Sequence, residues 1–169
     1  MDDSEIDGFP YIRNSIKPKI MKIVRNILAI VFGALLGGLV NSQIIQLSGG
    51  LIPLPEGVDP NDLESIKANI HLYQPIHFLF PFLAHAIGTL VGAVIAGLVA
   101  VSHKRYFSLA IGGFFLLGGI TMVFLVPGPI WFSAVDVGLA YIPMGYLGYL
   151  IAIKIGGPEE VKKPDVLDI

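Results

Sequence analysis

The chain has no cysteine. Thiol catalysis, disulfides, iron–sulfur ligation and zinc thiolate sites are therefore excluded together. Charge is scarce as well. Only 14% of the 169 residues are charged, against about 25% in soluble domains. No basic stretch is interleaved with aromatics, so nucleic acid is not an expected partner. GxSxG, HExxH and P-loop patterns are also missing. Three of the four long apolar stretches hold no histidine. A bis-histidine haem would then need a second chain to supply its other ligand. No metal-ligand spacing is recognisable, and the identity of any cofactor stays open.

Apolar residues are what the chain does have. They make up 54% of it, and mean hydropathy is +0.74. This composition predicts an all-α integral membrane protein, a bundle of four transmembrane helices. The spans fall at about 26–47, 75–101, 106–126 and 130–153, each long enough for a bilayer. Residues 1–25 read as a loose acidic tail followed by a basic juxtamembrane segment, 26–155 as the membrane domain, and 156–169 as a second tail. The polar residues after Val40 could end a signal peptide, but Ile44, Ile45 and Leu47 resume the apolar pattern and no A-x-A site follows. The 48–74 connection is rich in glycine and proline. Asp59-Pro60 reads as its helix start. Leu63, Ile66, Ile70 and Tyr73 then follow at helical spacing, as in a short amphipathic helix at the membrane surface. Pro143 should kink the fourth span.

Orientation comes from the basic residues. Of eleven lysines and arginines, all but Lys67 fall on one side of this four-span layout. The positive-inside rule makes that side cytoplasmic. The expectation is a multi-pass protein of the cytoplasmic (inner) membrane, both termini cytoplasmic and the 48–74 loop outside.

Small residues mark the packing faces. Ala84, Gly88, Gly92 and Ala96 recur every fourth position along the second span. Gly33 and Gly37 form a GxxxG pair in the first. Such ridges let helix backbones approach closely. They predict contact between the first and second spans, and they also suit a homo-oligomer or docking onto other membrane subunits.

Two ionisable groups lie within spans, His85 and Asp136. Such groups are expensive in a bilayer and mark sites by default. His85 is eight residues beyond His77, about 12 Å along a helix. Asp136 is five residues beyond Trp131, about 7 Å. Both should lie in the outer half, where they could meet. Thr89 follows His85 on the same helix row, and Gln43 brings a polar group from the first span. His85, Asp136, His77, Thr89 and Gln43 are the candidate ligand or proton site, with Glu64 and His71 at the outer rim. The plain alternative is that His85 only satisfies a neighbouring carbonyl and that Glu64 and His71 form a solvated face. No catalytic residue is assigned, and the missing nucleophile favours binding over catalysis. The expected function is a binding or transport-type module with an outward polar cavity around His85 and Asp136. The alternatives are an accessory subunit of a larger membrane complex, or a membrane enzyme acting on a lipid-like substrate. Membrane lipids are the expected surroundings in every case.

Overall fold

The computed structural model describes residues 8–158, with side chains from residue 19 onward. The first seven residues, Lys162 and Lys163 lie outside the described residues. Among the described residues all regular structure is helical: α1 (Gly8–Leu51), α2 (Leu63–Asn69), α3 (Leu79–Val99), α4 (Lys104–Leu125), α5 (Ile130–Leu139) and α6 (Ile142–Gly156). Two 3-10 turns, Ile70–Leu72 and Pro75–Phe78, connect α2 to α3. Four segments are long and apolar enough to cross a membrane: Lys19–Leu51, Pro75–Val99, Lys104–Leu125 and Ile130–Gly156.

α1 differs from expectation at both ends. It begins at Gly8, inside the stretch read as a loose tail, and it passes through Gly49 and Gly50 before stopping at Leu51. Pro10 falls in the first turn, where its missing N–H costs nothing. The glycines weaken the last turn without ending it. Pro53 ends it, because the residue before a proline is pushed out of the α region. The helix has 44 residues, about 66 Å at 1.5 Å per residue.

α3 is the centre of the bundle and packs against α1, α4 and α6. Glycine permits each approach. A Cβ on Gly33 would come within 2.7 Å of the Gly92 carbonyl oxygen, and one on Gly37 within 2.6 Å of the Gly88 oxygen. The reverse contacts are equally tight, at 2.6 Å for Gly92 and 2.8 Å for Gly88. α1 and α3 therefore run antiparallel, backbone against backbone. On the other side of α3, Gly148 sits against Ala93, and Gly97 against Ala152 and Ser108. Ala84, Ala93 and Ala96 are fully buried. Alanine and glycine dominate the centre, and Ile111 and Tyr141 are the largest apolar side chains fully enclosed there.

Polar groups fasten the end of the bundle away from α2. Arg25 donates to the Val99 carbonyl at 3.2 Å, and Asn26 Oδ1 accepts from the Val101 amide at 3.1 Å. Lys104, 7% exposed, donates to the carbonyls of Gly156 and Gly157 at the end of α6. A cation at a helix C-terminus is favoured by the orphan carbonyls and the dipole.

Two further expectations are revised. The cap of α2 is Asp62, whose carboxylate accepts from the Glu64 amide at 3.0 Å. Asp59 instead closes the preceding turn by accepting from the Asn61 amide. The fourth apolar segment is not one kinked helix but two. Ala140 and Tyr141 separate α5 from α6, and Pro143 lies in the first turn of α6. Proline disfavours the α region at Ile142 and fits a helix start better than an interior. The break turns Tyr141 inward, 2% exposed.

Candidate functional site

Three side chains meet where the broken fourth segment crosses α3. His85 stands on α3 between buried Ala84 and Ala86. Asp136 comes from the last turn of α5 and is 3% exposed. Tyr141 comes from the break itself. His85 Nδ1 lies 2.9 Å from Asp136 Oδ1 and 3.0 Å from Oδ2. The Tyr141 hydroxyl donates to Asp136 Oδ2 at 2.8 Å and lies 3.0 Å from His85 Nδ1. The carboxylate can only accept, and the phenol has one proton to give it. That assigns a proton to Nδ1, pointing at Asp136. The carboxylate thus fixes both the tautomer and the orientation of the imidazole. Nε2, on the far edge of the ring, makes no hydrogen bond to any described residue.

The sequence reading named His85 and Asp136 but not Tyr141. A tyrosine near a membrane-helix turn reads as an interfacial or packing residue, and only the break at Pro143 gives it another direction. Gly119 on α4 is the second residue missed. A Cβ there would collide with the Tyr141 hydroxyl and ring. Its absence makes the slot that holds the phenol against Asp136.

A cavity of about 980 Å³ opens above the three residues. His85, Asp136 and Gly119 lie at its floor. The His85 side chain is 23% exposed and that of Asp136 only 4%. The imidazole therefore meets the cavity and the carboxylate hides behind it. The apolar face of α2 and its following turn, Leu63, Ile66, Ile70 and Tyr73, forms part of the roof, together with the 52–58 loop. Burial pushes the Tyr73 phenol above its ordinary range and keeps it protonated.

The remaining candidates fall differently. His77 touches the cavity, but both of its ring nitrogens are engaged. Nδ1 accepts from the Gln74 amide at 2.8 Å, and Nε2 lies 3.2 Å from the Pro53 carbonyl, to which it donates. His77 is a strut that ties the loop to the turn before α3. Gln43 is exposed and does not line the cavity. Helical phase brings Asn41 and Gln46 to it instead. Glu64 and His71 are exposed and off the cavity, because α2 turns its apolar face inward. Thr89 is fully buried one turn below His85, and its hydroxyl has no hydrogen-bond partner among the described residues. Among the described residues no three His, Asp or Glu side chains come together as a metal-binding group.

The fold and site together define a class: a four-segment, membrane-type helical bundle with a His–Asp–Tyr cluster under a cavity. Compared with family models, curated proteins and solved structures, the chain matches none of them.

Proposed function

We propose that this chain is a membrane-embedded binding module of the cytoplasmic membrane. All four apolar segments cross it, both termini are cytoplasmic, and the cavity opens outward. The supporting observation is the imidazole of His85, oriented by a buried carboxylate and phenol, with Nε2 uncommitted at a cavity floor. A carboxylate inside a bilayer costs about 3 kcal/mol on insertion scales. Packing alone gives no reason to bear that cost, and a positioned, titratable contact for a ligand does. Imidazole changes charge near neutral pH, so the same site suits proton-coupled binding or transport by an oligomer.

Native mass spectrometry of the detergent-extracted protein tests this reading. The wild type should retain a small molecule, and so should Glu64→Gln, altered on the outer surface. His85→Gln should lose it. Equal retention in all three would overturn the proposal.

A catalytic reading has one observation in its favour. Ser133 lines the same cavity one turn before Asp136, and a carboxylate-oriented histidine is a general-base arrangement. It is the weaker reading, because no hydrogen bond among the described residues joins Ser133 to His85. An accessory-subunit role would suit the dry alanine and glycine packing but leaves the cavity unused.

A further inference from the structure

A second, shallower groove of about 370 Å³ lies on the outside of the bundle between α3 and α5. Its lining is wholly apolar or aromatic and includes Ile76, Leu79, Trp131 and Val135. All four are at least two-fifths exposed, on a face that a bilayer would cover. Phe78 and Phe132 line both this groove and the inner cavity. Their rings lie 4.7 Å apart between centroids, with Trp131 edge-on to Phe78 at 5.7 Å. The two spaces are thus separated by aromatic side chains. The roof is built differently, since His77 bonds it to backbone on two sides. Side chains change rotamer faster and at lower cost than a bonded loop moves.

We propose that the cavity takes a membrane-dissolved amphipath with an uncharged hydroxyl or carbonyl head, admitted sideways through the Phe78–Phe132 partition. The inference rests on the binding-module reading and adds to it a ligand class and a route. The head is set by the floor. Asp136 already takes the Nδ1 edge of the ring, 3.0 Å away, so the imidazole can offer an anionic head at most one donor, with a carboxyl group behind it. A cationic head finds little of that side chain to pair with, because Asp136 meets the cavity with only 4% of its side chain exposed. An uncharged head suits Nε2 in either protonation state, accepting from imidazolium or donating to neutral imidazole. The tail is set by the walls, which are mostly apolar, with Ile45, Phe80, Met122 and Val126 among them and Asn41 and Gln46 as polar exceptions on α1. The volume is at the top of the range that holds drug-sized ligands, about 300–1,000 Å³.

The lack of cysteine makes the test direct. Ser133→Cys places the chain's single thiol on the cavity wall, and the variant is reconstituted in liposomes. Pyrene maleimide, dissolved in the bilayer, is compared with a permanently charged methanethiosulfonate supplied in the water on both sides. Relative to its own rate with a free thiol in water, the charged reagent should be slowed at least about tenfold more than the maleimide, because a fixed charge is expelled from hydrocarbon. Adding Phe132→Leu, which narrows the partition without emptying it, should speed the maleimide several-fold and leave the charged reagent unchanged. 1-Dodecanol should protect the thiol better than dodecanoate or dodecyltrimethylammonium at equal membrane concentration. A charged reagent slowed less than the maleimide on that scale would show filling from water and overturn the sideways route, with the binding module intact. Better protection by either charged amphipath would overturn the assignment of the head. Labelling by neither reagent would remove the cavity reading and this inference with it.

Discussion

One phenolic proton does much to hold the site together. Tyr141 gives it to a carboxylate that already binds His85, so the three groups bond one another at the floor of the cavity. Tyr141→Phe should remove that bond and the hydroxyl's 3.0 Å contact with His85 Nδ1 while keeping the ring. Hydrogen bonds to charged groups are worth about 1.5–3 kcal/mol, and chemical denaturation in detergent micelles should show a loss of that size. Asp136→Leu leaves an imidazole and a phenol without their acceptor and should cost about 3–5 kcal/mol. Combined with His85→Phe, the loss should be smaller than the sum of the single losses. Strict additivity in that double-mutant cycle would mean that the two side chains do not depend on each other. Thr89 is the contrasting case. Its hydroxyl is buried and bonds to no described residue, so a valine of similar shape gives up no bond. Thr89→Val should leave stability unchanged or raise it by up to about 1 kcal/mol. A clear drop would show that the hydroxyl serves a partner.

At the scale of helices, glycine decides where backbones touch. At Gly92 the obstacle is the Gly33 backbone itself, which cannot swing aside as a side chain can. Gly92→Ala should therefore already destabilise, and Gly92→Leu should prevent α1 from seating on α3. Gly38, one residue from Gly37, has nothing within 4 Å of a built Cβ. Gly38→Ala should be neutral or gain up to about 1 kcal/mol from helix propensity. Similar melting temperatures for Gly92→Ala and Gly38→Ala would refute the close approach. Gly119→Ala should act at a distance, pushing the Tyr141 ring off Asp136. The Gly33 and Gly37 pair was readable in advance because small residues at four-residue spacing have few other uses in an apolar run. That His85 and Asp136 could meet was readable from helix rise alone. Helix breaks and phases were not. Pro143 announces a disturbance but does not say whether a helix bends or splits, and Tyr141 depends on the difference. Gln43 and Gln46 are neighbours on a helix surface, yet only Gln46 borders the cavity, a difference at the cavity's edge that the letters do not carry.

The whole molecule makes one topological claim. Lys19 and Glu64 are exposed at opposite ends of the bundle. Cysteines placed there should react with an impermeant maleimide from opposite sides of sealed vesicles, Glu64→Cys from the outside. Reaction of both from one side would end the four-crossing arrangement. The number of segments long and apolar enough to cross a membrane was legible because apolar length is a one-dimensional property. The shape of the cavity was not, since it depends on loop 52–58 meeting α2 and on the strut from His77 to Pro53. The division of the site between α3 and the fourth segment also has a consequence for synthesis. His85 precedes Asp136 by 51 positions, which is roughly 3–10 s of translation at about 5–20 residues per second. On the proposed four-crossing arrangement, the histidine would enter the membrane in that interval without its carboxylate partner. The carboxylate arrives later, when its partner is in place. With the two exchanged in the chain, the costlier group would have to wait alone.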